Sequence, residues 1–95
     1  MNKYESVYVI NTAIGEEAIS GKVAKFNELI TSNGGSITKV DEWGKRRLAY
    51  SIDHLTEGYY VVINFEGDTE LPKELERNFR IDESIIRFLV VRIED

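Results

Sequence analysis

Three basic residues stand consecutively at one place in this chain, Lys45-Arg46-Arg47 within Trp43-Gly44-Lys45-Arg46-Arg47-Leu48-Ala49-Tyr50. Side chains of this type at this density bind anions, and arginine's planar fork matches phosphate geometry. Apolar and aromatic residues flank the run on both sides. From Arg46 the residues alternate. Arg46, Leu48, Tyr50 and Ile52 fall on one face of an extended chain, and Arg47, Ala49 and Ser51 on the other. The pattern predicts a strand with a cationic tip, entered through Gly44. A glycine inside a strand pattern marks a bulge or a close backbone approach. A bulge here also accounts for Ile37, Val40 and Trp43 not keeping one parity. The functional reading is contact with RNA phosphate. The plainer reading is a solvated cationic strand end, and composition taken alone favours it.

No other chemistry stands out. His54 is the sole histidine, sits in a polar stretch and reads as solvent-exposed. There is no cysteine, so disulfides and thiolate metal sites are excluded, and thiol catalysis and a Ser-His triad lack supporting motifs. Zinc-ligand spacing is missing. Gly44-Lys45 lacks the upstream glycine and following Ser or Thr of a phosphate-binding loop. The pairs Asp41-Glu42 and Asp82-Glu83 read as solvated carboxylates. The expectation is a protein with no catalytic residue, metal or cofactor.

The charge balance points the other way from nucleic acid. Net charge is -5 over 95 residues, so the mean field repels phosphate. Any RNA contact must come from a local patch, or from a partner that brings positive charge. The hydrophobic fraction of 42% and charged fraction of 31% are those of a soluble globular domain. The apolar runs Tyr59 to Ile63 and Phe88 to Val91 are too short to span a bilayer. Met1-Asn2-Lys3-Tyr4-Glu5 opens no apolar signal region, and the expected location is the cytoplasm.

The elements that must position the basic run follow in order. Tyr4 to Asn11 reads as a central strand, with Ser6, Tyr8 and Ile10 on one face and Glu5, Val7 and Val9 on the other. Thr12 or Gly15 caps a helix whose stripe is Ile19, Val23, Phe26 and Ile30, and Asn33-Gly34-Gly35 stops it. Ser36 to Asp53 is a long strand, Asp53 to Gly58 a polar loop, and Tyr59 to Glu66 a second strand forming a hairpin with it. Asp68 or Thr69 caps a second helix with Pro72 in its first turn and Leu71, Leu75 and Phe79 as its stripe. Ile85 to Ile93 is the last strand, with Ile86, Phe88 and Val90 on one face and Arg87, Leu89 and Val91 on the other.

The order β-α-β-β-α-β predicts a single α+β domain over residues 1–95 with the ferredoxin-like fold. Its antiparallel sheet has strand order 4-1-3-2, and two helices cover one face. The basic run then lies on an edge strand. The uncovered face carries Val7, Val9, Tyr60, Val62, Leu89, Val91 and Arg87. An exposed apolar sheet face marks a partner or ligand site.

The motif Trp43 through Ile52 resembles the signature of the bacterial ribosomal protein S-six family of the small ribosomal subunit. Lys3-Tyr4-Glu5 resembles that family's opening, and Leu29 through Gly35 the end of its first helix. Gly58-Tyr59-Tyr60 resembles its third-strand entry, and Asp82 through Arg92, with Ile85-Ile86-Arg87 and Val90-Val91, its last strand. The resemblance covers essentially the whole chain. It implies a structural constituent of the small subunit, without enzymatic activity. The partners implied are the central domain of small-subunit ribosomal RNA and ribosomal protein S-eighteen, bound as a heterodimer, with no membrane and no small-molecule substrate. It implies RNA contacts at Lys3, Lys45, Arg46, Arg47 and Arg87. Tyr60 and the apolar open face, Val7, Val9, Val62, Leu89 and Val91, are candidates for partner or RNA contact. A basic partner would resolve the charge conflict.

Two other classes use the same topology. A single-strand RNA binder resembling the RNA-recognition motif would stack bases on Tyr60, though the stretch Gly58 to Phe65 lacks that module's leading basic residue, second glycine and paired aromatics. A small-molecule-sensing regulatory domain would need a ligand pocket that no turn here marks. Acylphosphatases, of the same fold class, need a glycine-rich loop after the first strand that is not present.

Overall fold

The computed structural model describes residues 1–52 and 55–93, without the side chains of 49–52. The elements are β1 (Asn2–Ile10), a 3-10 turn (Thr12–Ile14), α1 (Glu16–Ser32), β2 (Ser36–Ile52), β3 (Leu55–Gly67), α2 (Glu70–Ile81) and β4 (Ile85–Ile93). The strands form one sheet in the order β2-β3-β1-β4, with all three pairings antiparallel. Read from the other edge this is the expected 4-1-3-2. The fold is ferredoxin-like α+β.

Both helices lie on one sheet face because their apolar stripes have nowhere else to go. Ile19, Val23, Phe26 and Ile30 of α1 and Leu71, Leu75 and Phe79 of α2 are buried against Tyr4, Tyr8, Ile10, Val61, Ile63 and Phe65. Tyr8 sits at the centre, its ring 5.3 Å from Phe26 and 4.9 Å from Phe79. Each such aromatic pair adds about 0.5–1.5 kcal/mol beyond its area burial. The helix ends follow the predicted signals. Gly15 takes the N-cap of α1, Glu16 and Glu17 occupy its first turn, and the Gly35 N–H closes its C-terminus on the Ile30 carbonyl at 2.9 Å. Asp68 accepts from the Glu70 and Leu71 N–H groups at the start of α2.

Asp82 ties the helical layer to the turn before β4. Its carboxylate accepts from the Ser84 hydroxyl at 2.6 Å and the Ser84 N–H at 2.9 Å, and Lys22 Nζ of α1 lies 2.9 Å away. Burial works against the charge. The Ser84 and Lys22 hydrogen bonds and the Lys22 charge outweigh it and hold the carboxyl at about 2.

Three predicted details change. β3 begins at Leu55 rather than Tyr59, so Leu55 to Gly58 is strand and not loop. Thr56 and Glu57 read as loop because they are polar, and they are polar because both are exposed. The predicted exposed His54 and the loop residue Asp53 fall outside the described residues. In β4, Ile85, Phe88 and Val90 pack on the core, not Ile86. A register shift between Val9 and Ile10 places Ile85 opposite Ile10 and Arg87 opposite Val9, leaving Ile86 as the extra residue. Finally, β2 is irregular at three places and not one: between Ile37 and Lys39, between Glu42 and Gly44, and between Arg47 and Ile52.

Candidate functional site

The irregularities of β2 decide where the basic run points. Thr38 is the extra residue of the first bulge, so Ile37 before it and Val40 after it fall on the same side of the sheet, opposite Phe65 and Ile63. Trp43 is the extra residue of the second bulge. It is followed by Gly44 at φ 81, a backbone conformation that costs any residue with a Cβ. The bulge brings the Trp43 ring over the open face, where it stacks on Tyr60 at 6.2 Å with the planes 14° apart. The Trp43 Nε1–H donates to Asp41 Oδ2 at 3.2 Å. The predicted bulge at Gly44 is therefore present, but the lost parity of Ile37 and Val40 comes from the earlier bulge at Thr38.

The register lays out the open face row by row. Lys39, Asn64, Glu5 and Val91 form one row. Asp41, Val62, Val7 and Leu89 form the next. Gly44, Tyr60, Val9 and Arg87 form the third, with Trp43 above Tyr60. Arg46 stands opposite Gly58 in the fourth. Leu89 is 58% exposed, Val91 41% and Trp43 47%, so the face offers an open apolar and aromatic surface. Val7, Tyr60 and Val62 are half-buried.

Val9 departs from the expectation. It lies on this face but is 3% exposed and offers no contact surface. The cause is Gly58 next to it. A Cβ at Gly58 would stand 2.2 Å from Val9 Cγ1 and 3.6 Å from Ile86 Cδ1, so the missing side chain lets Val9 sink into the sheet surface. Leu48 is buried as well, and neither it nor Val9 belongs to the helix-side core.

The five predicted cationic residues do not gather in one patch. β1 ends at Ile10, opposite Tyr59, while β2 and β3 continue past it as a two-stranded ribbon. Lys45 stands in the last four-stranded row, opposite Tyr59, and Arg46 and Arg47 sit on the ribbon beyond it, opposite Gly58 and Glu57; all three are exposed. Alternation puts Arg46 on the open-face side and Lys45 and Arg47 on the other. Arg87 is exposed on β4 across the open face from Arg46, two strand positions along and three strands over, about 16 Å between backbones. Lys3 pairs with Glu66, eight positions along β3 from Gly58, about 26 Å away. Arg46 and Arg87 thus bracket the aromatic pair, Lys45 and Arg47 mark the far side, and Lys3 stands at the other end.

The open face also carries Glu5 and Asp41, which temper its positive charge. Under the sheet, Tyr59 donates its hydroxyl to Glu42 Oε1 at 2.8 Å. That bond, with burial and the Glu42 charge, raises the Tyr59 hydroxyl above its ordinary range. Tyr8 is raised further, by burial first and then by Glu42 and Tyr59. Trp43 is the contributor to this face that the sequence pattern left unassigned. The signal for it was present in Gly44, since a bulge ahead of that glycine reverses the parity of the preceding residue.

Comparison with known proteins bears on these features together. The family model described as Ribosomal protein S6 matches residues 3–92. The small ribosomal subunit protein bS6 of Clostridium acetobutylicum is 52% identical over 94 residues, covering 99% of both chains. That of Clostridium botulinum strain Loch Maree is 48% identical over 94 residues, covering 99% of this chain and all of the relative. The crystal structure of 30S ribosomal protein S6 from Thermotoga maritima superposes with a TM-score of 0.92 at 34% identity, covering 97% of this chain and 87% of that one. A bulged cationic ribbon on a ferredoxin-like sheet, matched in sequence almost end to end, places this chain in the ribosomal protein S6 family.

Proposed function

We propose that this chain is a non-enzymatic structural constituent of the small ribosomal subunit. It binds the central domain of small-subunit ribosomal RNA as a heterodimer with ribosomal protein S-eighteen, on the ribosome in the cytoplasm. The observation that carries the reading is the exposed cationic run Lys45-Arg46-Arg47, which starts in the last four-stranded row of an acidic domain and continues onto the two-stranded ribbon beyond it. Its charges meet phosphate, with Arg87 and Lys3 as further contacts. Net charge -5 limits what the ribbon achieves alone, and a basic partner seated on the open face around Tyr60, Val62, Leu89 and Val91 supplies the rest.

The test is affinity for a central-domain RNA fragment, with and without the basic partner, at two salt concentrations. Weak binding alone and tight, salt-sensitive binding with the partner is expected. Arg46→Ala should lower the slope of log affinity against log salt by about 1. An unchanged slope for the Arg46→Ala, Arg47→Ala double variant would remove the ribbon from the interface.

The Trp43–Tyr60 stack favours a second reading, in which an unpaired base stacks on the outer face of Trp43. Quenching of the single tryptophan by single-stranded RNA without the partner supports it, and unchanged emission eliminates it.

A further inference from the structure

We infer that Thr12 and Glu57 are positioning residues that hold the cationic ribbon in its aim; the inference rests on the ribbon being the RNA-contacting element. A two-stranded ribbon in water is only marginally stable by itself. Past Tyr59 neither β1 nor β4 pairs with it. It therefore needs a brace from outside its own strands, and the structure holds one. The Thr12 hydroxyl donates to Glu57 Oε1 at 3.0 Å, across 45 residues of chain.

Both ends of that bond are well placed for the role. Thr12 opens the 3-10 turn, and its carbonyl accepts from the Gly15 N–H at 3.2 Å. The preceding Asn11 donates its N–H to the Ser84 carbonyl at 2.7 Å and accepts from the Ala13 N–H on its side chain at 2.9 Å. The turn is thus fixed to the body of the domain. Glu57 stands directly opposite Arg47 on the ribbon. Thr12 was a candidate helix cap, yet Gly15 takes that position and the hydroxyl is spent on Glu57 instead. On the other side, Val9 and Ile86 close on Gly58. The ribbon's base is gripped from both faces, and the hydroxyl–carboxylate bond is the directional half of the grip.

Thr12→Val removes the donor with little change in shape and none in charge, and Thr12→Ser keeps the donor. Amide exchange of the free full-length protein is measured first. In Thr12→Val, exchange at residues 45–47 and 56–58 should quicken about 3- to 10-fold, the scale set by one ordinary hydrogen bond, with central β1 and β3 amides unchanged. Thr12→Ser should exchange like wild type. Partner-dependent affinity for the RNA fragment should fall by a similar factor in Thr12→Val at an unchanged salt slope, because no cation is lost. Wild-type exchange in the Thr12→Val ribbon overturns the brace. Faster exchange with undiminished affinity overturns the positioning role. If wild type itself binds no RNA, the proposed function fails, while exchange still decides whether the brace exists.

Discussion

Gly58→Ala tests how tightly the ribbon joins the sheet. Gly58 has an ordinary strand backbone, so added chain stiffness alone would make alanine stabilising by about 0.4–1 kcal/mol. The structure reverses that sign. The new methyl would lie 2.2 Å from Val9 Cγ1, with Ile86 Cδ1 at 3.6 Å and the Ile10 carbonyl oxygen at 3.7 Å. Val9 is 3% exposed, so its methyls are already enclosed by neighbours. Overpacking of this kind costs about 1–3 kcal/mol. For a domain of this size that lowers Tm by about 5–15 °C. Urea denaturation of Gly58→Ala, Val9→Ala and the double variant measures the coupling directly. Val9→Ala alone should destabilise by emptying a buried site. In the double variant the two changes should compensate by at least about 1 kcal/mol, because the methyl added by Gly58→Ala occupies space that the shortened Val9 side chain vacates. A neutral or stabilising Gly58→Ala, or strictly additive variants, would refute the account of why Val9 is buried.

Further outcomes follow from single features. Gly44→Ala should cost about 1–2 kcal/mol in urea denaturation, for backbone reasons alone, since φ is 81 and no atom lies within 4 Å of the added Cβ; a neutral result would mean that the bulge reshapes. Tyr8→Phe should leave stability unchanged or raise it by about 1 kcal/mol, because the buried hydroxyl has no hydrogen-bond partner among the described residues; a loss above about 1 kcal/mol would reveal one. Asp82 has its carboxyl lowered from 3.8 to about 2, so the folded state binds this proton less readily than the unfolded chain. Its contribution is complete above the ordinary carboxylate value and disappears as pH falls from about 4 to about 2. Lys22 is partly exposed, which limits the contribution to about 1–2 kcal/mol. Wild type and Asp82→Asn should therefore differ at about pH 6 and converge near about pH 2, and parallel curves would contradict the assignment.

Much of this molecule was legible before any coordinate. Periodicity of about 3.6 along Ile19, Val23, Phe26 and Ile30, and along Leu71, Leu75 and Phe79, named the buried helix faces correctly because those residues answer to one requirement, removal from water. The caps and stops at Gly15, Asp68 and Asn33-Gly34-Gly35 were local chemistry and read locally. The element order then left one topology. Gly44 announced a bulge because an isolated glycine has little other reason to interrupt a strand.

What only the tertiary structure decided concerns places where two strands meet. Strand alternation assumes that each residue advances the register by one, and Thr38, Trp43 and Ile86 do not. Each extra residue reverses the face of its neighbours, so Trp43 stands over Tyr60, and Ile85 replaces Ile86 in the core. The burial of Val9 depends on Gly58, far along the chain, and the brace on the ribbon joins Thr12 to Glu57 across 45 residues. No local pattern encodes such pairs, because each partner is satisfied only by a group that the fold delivers to it. Composition and motif determined what kind of surface this chain presents; the register of β2 on β3 decided which cations share it.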